Sequence, residues 1–345
     1  MYWSISNIRN NLFHKINHIK FPSLLVSCNR FLSFDKVNES STDPINDYFG
    51  LDKVADNIYK TRRIRTRISA NIAYGGQIFT NAISAAEETV SNGMFPHSCH
   101  NYFIKMATDL SPIYFHVENI RDGNSFATRF VKAMQNNDII ATTQVSFHKQ
   151  ESTPFTHQEK MPVVTEPEAL LSTLDYAESV IAMVESGKKI IESKYINKLL
   201  HILVSDRRHI FETRPVDPEQ HLCLKKYCPP LKHFIWVKSL FPLGDNPKYH
   251  RAMINYISDS SLAPSGYLGH LTEGFIPSMV VSLDHNIYIH HDKFNAEDWM
   301  LYETYSTIAN NSRVMTHGKF WSRDGVLLAS TVQECLVREG IKSKK

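Results

Sequence analysis

No apolar run in this 345-residue chain approaches the roughly 20 residues that span a bilayer, so no membrane crossing is expected. Cysteine is scarce and scattered, at Cys28, Cys99, Cys223, Cys228 and Cys335. An odd set without pairs at two-residue spacing argues against a disulfide framework and against a zinc site, and favours a reducing compartment. Charge of one sign never accumulates: 38 Lys and Arg face 35 Asp and Glu, a net charge of +3. That balance gives no reason to expect a nucleic-acid partner. The chain has no Gly-x-Ser-x-Gly nucleophile elbow. Gly187-Lys188 lacks the upstream glycine of a phosphate-binding loop and reads as a solvated helix surface. No cofactor is expected.

What the sequence does contain is enough apolar material, 42%, for two compact domains or one large one. Its first 34 residues hold Arg9, Lys15, Lys20 and Arg30 but no acid, the first being Asp35. Such a start fits either an organelle transit peptide, here mitochondrial, or a disordered tail. The chain ends in "IKSKK", which is not the Ser-Lys-Leu peroxisomal address.

Two short extended segments lead to Gly75-Gly76 and then to a helix, with Ile78, Phe79, Ala82, Ile83, Ala86 and Val90 at three-and-four spacing. The glycines permit close backbone packing where that helix begins. "IYFHVENIRDG", "SFATRFVKAMQ" and "IIATTQVSFHK" read as an antiparallel meander with turns at "RDGN" and "QNND". A Pro-punctuated linker follows residue 151, and then a helix over "ALLSTLDYAESVIAMVESGKKIIESKYINKLL". The order repeats: strands at "FETRPVD" and "KHFIWVKSL", a helix at "PKYHRAMINYISD", then strands to "GVLLASTVQECLVR". His-Asn recurs at 100 and 285, and Ala141-Thr142-Thr143-Gln144 resembles Ala329-Ser330-Thr331-Val332-Gln333. The pattern is α+β, in two copies of one unit.

The stretch "MVVSLDHNIYIHH" at 279–291 gathers a Ser, an Asp and three His. In a regular strand Ser282, Asp284 and Asn286 share one face and His285 the other, so His285 and His290 cannot share a metal without a bulge. A serine inside a regular strand has no strained turn to activate it.

"YGGQIFTNAISAA", "HSCHNYFIK", "ENIRDGNSFATRFVKAMQ", "TQVSFHK", "INYISD", "VVSLDHNIYIH", "WMLYETYS" and "RDGVLLASTVQE" together resemble the type II acyl-coenzyme A thioesterases, a group with bacterial and peroxisomal members. The resemblance runs in order over about residues 48–338. It implies a tandem (double) hotdog, each unit a central helix wrapped by an antiparallel sheet. The implied divisions are an extension over 1–45, a first hotdog over 46–150, a linker with helix over 151–205, and a second hotdog over 206–340 carrying the active site. It implies acyl-CoA as substrate, hydrolysed by a water held by an Asp, a Ser or Thr, and a Gln. Asp259 of "INYISD", Ser282 of "SLDH" and Gln333 before Glu334 fill those places. Asp259 is expected at a helix end as general base, with Ser282 and the Gln333 amide orienting the water. An oxyanion donor is sought in backbone N–H groups or that amide. In the first unit Gln144 and His97-Ser98 stand at the corresponding places, with Ala85-Ala86-Glu87 near the missing Asp, so one site per chain is expected. His285, His290 and His291 read as structural. The departures, Asn286 to Ile289 and Cys335, bear on the acyl pocket more than on the chemistry.

Two other functions stay open. "LGDNP" at 243–247, with His250 downstream, resembles the site of a hotdog enoyl-CoA hydratase or dehydratase, and a non-catalytic acyl-CoA binding module would need no intact triad. A homo-oligomer is compatible by analogy, and the resemblance allows a peroxisomal location beside the mitochondrial one.

Overall fold

The computed structural model describes residues 43–67, 70–205, 209–226 and 232–340. The basic start, and with it the transit-peptide expectation, lies outside the described residues, as do Cys28 and Cys228.

The first half runs α1 (Pro44–Phe49), β1 (Leu51–Ala55), β2 (Ile58–Thr61), β3 (Thr66–Arg67), β4 (Ala70–Ala73), α2 (Gly75–Glu87), β5 (Met94–Phe103), β6 (Tyr114–Asp122), β7 (Phe126–Gln135) and β8 (Asp138–Lys149). Two helices follow, α3 (Thr173–Glu185) and α4 (Lys194–Ser205). The second half runs β9 (Phe211–Pro215), α5 (Pro218–His221), β10 (Lys232–Ser239), α6 (Pro247–Ser265), α7 (Leu268–Leu271), β11 (Pro277–Ser282), β12 (Asp284–Ile289), β13 (Met300–Asn310), β14 (Arg313–Ser322) and β15 (Leu327–Glu339).

The hairpin turns form where short polar residues tolerate positive φ. Asn136 and Asn137 between β7 and β8 have φ of 51° and 66°, and Asn311 and Ser312 between β13 and β14 have 50° and 57°. Two consecutive positive φ values match the right-handed twist of the flanking strands. Thirteen strands then make one sheet in the order β1-β2-β6-β7-β8-β5-β12-β15-β14-β13-β10-β9, with β11 also on β15. The halves join where β5 pairs antiparallel with β12, Asn101 opposite His285 and His100 opposite Asn286. Each half wraps its own central helix, and α2 and α6 pack on each other. This is the α+β double hotdog.

The repeated His-Asn dipeptides meet at that junction, but one residue out of register in their facing. Asn101 and His285 are buried while His100 is exposed. In the same way Thr143 faces inward, fully buried, and Gln144 points out, so β8 presents no glutamine to the helix. The expected correspondence of Gln144 with Gln333 is therefore wrong. The only acid of α2, Glu87, is committed to a buried ion pair with Arg251 of α6 at 2.6 Å.

The single linker helix expected over residues 169–200 is two helices. Gly187, at φ 73°, turns the chain after α3, and α4 buries Tyr195, Ile196, Leu199, Leu200 and Leu203. The Pro-punctuated stretch before them is a strap across the outer face of the second half. Met161, Val164 and Leu170 cover Trp236, Trp299, Leu301 and Trp321, and the Trp236 indole donates to Thr165 O at 2.8 Å. Among the described residues no helix is long and apolar enough to cross a membrane.

Candidate active site

The helix carrying Asp259 starts at "LGDNP". The Asn246 side chain accepts from Lys248 N at 3.1 Å and Pro247 occupies the first turn, where no N–H is needed. His250 is fully engaged there: Ala296 N donates to Nδ1 at 3.1 Å, which places the proton on Nε2, 2.7 Å from Gly244 O. This stretch is a helix cap with a structural histidine, and neither ring nitrogen is left for hydratase chemistry.

Asp259 is not at a helix end. α6 continues past it to Ser265, through Ser260, Ser261 and Pro264, so the expected closeness of helix-end carbonyls does not arise. What faces the carboxylate is the opposite kind of helix end. A Cβ built on Gly75, at the amino terminus of α2, would lie 3.2 Å from Asp259 Oδ2 and 3.1 Å from the Phe103 ring. The glycine is what lets the backbone come this close.

Ser282 ends β11 at a break in the strand. It stands opposite Cys335, while Asn286 stands opposite Val332, so four steps along one strand match three along the other. The Asp284 side chain accepts Glu334 N–H at 2.6 Å and Leu283 N donates to Glu334 O at 2.9 Å, which holds the bulge. Alternation changes phase across it. Ser282 and His285 both turn inward, and the strict alternation that put them on opposite faces fails.

The three residues nominated for the chemistry meet. Gln333 of β15, fully buried, donates through Nε2 to Asp259 Oδ1 at 2.6 Å and to Ser282 Oγ at 2.8 Å. The Ser282 hydroxyl stands 3.5 Å from Asp259 Oδ1. Both amide hydrogens of Gln333 are thus used, and its Oε1, also buried, has no protein donor. Asp259 is 7% exposed, so its carboxylate sits in a nearly closed site.

His285 belongs to the surroundings of this cluster, which the sequence reading missed. Ser258 Oγ donates to Asn255 O at 2.7 Å and therefore accepts from His285 Nε2, also at 2.7 Å. The ring lies edge-on to Phe79 of α2, 4.8 Å between centroids. Burial lowers its pKa, with Asp259 and Asp284 pulling the other way, so the imidazole is neutral. The Ser258 carbonyl takes the Tyr302 hydroxyl at 2.7 Å. The residue before Asp259 is thereby clamped by its side chain and by its backbone. His290, at the strand end, bonds Ser330 at 2.9 Å. Among the described residues no cluster of His, Cys, Asp or Glu could hold a metal ion.

Known proteins are similar to this chain in sequence and in fold. Residues 64–148 match the family described as the acyl-CoA thioesterase N-terminal domain, and residues 228–336 the one described as acyl-CoA thioesterase. Acyl-coenzyme A thioesterase 8 of Rattus norvegicus is 33% identical over 85% of this chain and 88% of its own length. The peroxisomal acyl-coenzyme A thioester hydrolase 1 of Saccharomyces cerevisiae is 25% identical over 77% of this chain and 86% of its own. The crystal structure of acyl-CoA thioesterase II from Mycobacterium marinum superposes with a TM-score of 0.65 at 27% identity, covering 86% of this chain and 98% of that one.

Proposed function

The chain belongs to the acyl-CoA thioesterase family and is a thioester hydrolase, and from that premise we propose that Asp259, Ser282 and Gln333 hold the water that attacks a fatty acyl-CoA. The reading rests above all on one observation: a single buried amide, Gln333 Nε2, ties Asp259 Oδ1 and Ser282 Oγ together. That amide fixes the carboxylate and spends its hydrogens doing so. Asp259 Oδ2, the oxygen beside Gly75, is left to take the water's proton. The hydroxide adds to the thioester carbonyl carbon, the tetrahedral oxyanion collapses, and coenzyme A leaves as a thiolate that takes up a proton. Removal of the water's proton by a placed base contributes roughly 10²–10⁴-fold.

The oxyanion donor follows by elimination. Gln333 has no hydrogen to spare. The first-turn N–H groups of a helix have no intrahelical carbonyl, and in α2 those of Gln77 and Ile78 turn back to Tyr74 O at 3.2 and 3.3 Å. Gly75 and Gly76 carry the remaining donors at the positive end of the α2 dipole, and Gly75 is the one beside Asp259.

The test is thiol release from acyl-CoA, followed with a thiol-reactive dye. Asp259→Ala is expected to lose activity by at least about 10²-fold with an unchanged circular dichroism spectrum. Parental rates across acyl lengths would remove Asp259 from the chemistry. A hydratase reading has no free histidine at "LGDNP", and a binding module gives no reason for the Asp-Gln-Ser contacts. The name of the yeast relative supports a peroxisomal location.

A further inference from the structure

A cavity of about 310 Å³ lies against α6 on the side turned away from Asp259. Its α6 wall is Ser260, Ser261 and Pro264. At about 100° per residue these project away from Asp259, whose carboxylate meets β11 and β15 through Ser282 and Gln333. None of the three candidate catalytic residues lines the space. The apolar stripe of α4 does, through Ile196, Leu199, Leu200 and Leu203, with Leu222 and Leu271 beside it. All six are buried. Packed interiors keep few voids larger than a water molecule. At ~30 Å³ per water this one has room for several, yet its walls are mostly hydrocarbon, and apolar cavities stay dry and take apolar ligands.

The charged groups at its edge narrow the ligand. Among the described residues no Lys or Arg lines it, and of its histidines, His209 and His221, burial lowers the pKa of His221 and keeps that ring neutral. Its acids are Asp175, which accepts the Ser172 hydroxyl at 2.7 Å, and Glu212, which is paired with Arg214 at 2.7 Å. The Ser260 hydroxyl turns back to Ile257 O at 2.7 Å. An anionic head group brought inside would meet mostly hydrocarbon, with no Lys or Arg among the described lining residues, and would lose its hydration. We propose that this cavity binds the hydrocarbon tail of a single-chain lipid, with the head group left in water, at a site separate from the catalytic cluster.

The full chain is titrated with dodecanol, dodecanoate and the S-dodecyl thioether of coenzyme A, each displacing the fluorescent chain probe cis-parinaric acid. Saturable displacement by dodecanol is expected, weakened at least about tenfold by Leu200→Phe, which fills the cavity. Hydrolysis of butyryl-CoA should stay at the parental rate, which also shows that the variant is folded. If that variant does not fold, Leu199→Phe on the same stripe takes its place. The dodecanoate and thioether arms tell whether free acid or acyl-CoA supplies the tail. Absence of saturable binding, binding unchanged in both variants, or competition between dodecanol and butyryl-CoA would overturn the proposal. A chain that binds dodecanol but hydrolyses no acyl-CoA, short or long, would uphold it and sink the proposed water attack at Asp259 instead.

Discussion

Gly75→Ala should separate activity from stability. The added methyl would sit 3.2 Å from Asp259 Oδ2 and 3.1 Å from the Phe103 ring, closer than ordinary van der Waals contact. Carboxylate or ring must give by a few tenths of an ångström, and the methyl occupies the ground beside the oxygen assigned to the water's proton. A displacement on the order of 1 Å at a reacting group costs about 10²-fold, so kcat should fall by roughly one to two orders of magnitude. Folding should survive. Gly75 has no positive φ, and the helix preference of alanine offsets the strain of those contacts, so stability should change by no more than about 1 kcal/mol. Thiol release gives the first quantity and urea unfolding the second. A variant that hydrolyses acyl-CoA at the parental rate would refute a water held between Asp259 and the start of α2.

Glu87→Ala leaves Arg251 charged and buried between the two central helices. Urea unfolding should show a loss of about 3–5 kcal/mol, and the double replacement Glu87→Leu with Arg251→Met should recover most of it. A single-variant loss below about 1 kcal/mol would contradict the buried pair. Acid lability should come from histidines that the fold keeps neutral. Burial pushes the His233 pKa down to about 4 from 6.5, and His285 is lowered for the same reason. Below pH 6.5 the unfolded chain binds protons that the folded chain refuses. Stability should therefore be flat above that pH and fall toward pH 4, by on the order of 3 kcal/mol for His233 alone. His233→Gln should flatten the slope; an unchanged slope would contradict the assignment.

Local chemistry wrote much of the fold into the sequence. The asparagine-rich turns, the meander strands and the glycines opening α2 are each set by residues within a few positions of one another. The bulge at Leu283-Asp284 is different in kind. It exists because a side chain, Asp284, takes the Glu334 N–H that a ladder carbonyl would otherwise hold, a contact across 50 residues that no periodicity reports. With it went the facing of His285. The run of α6 past Asp259 was hidden by Ser258, Ser260, Ser261 and Pro264, poor helix formers that tertiary packing overrides. Asp259, Ser282 and Gln333 look ordinary one by one, and only the family resemblance singled them out. Their meeting depends on β11, β15 and α6 packing together, information that lies in the topology.

The central claim, attack by water and not by the carboxylate itself, is tested most directly by a single turnover of acyl-CoA in H₂¹⁸O with enzyme in excess. One ¹⁸O should appear in the released fatty acid, and the peptide containing Asp259 should carry none. Heavy oxygen in the Asp259 side chain after that turnover would mean that the aspartate attacked the thioester, and would contradict the account.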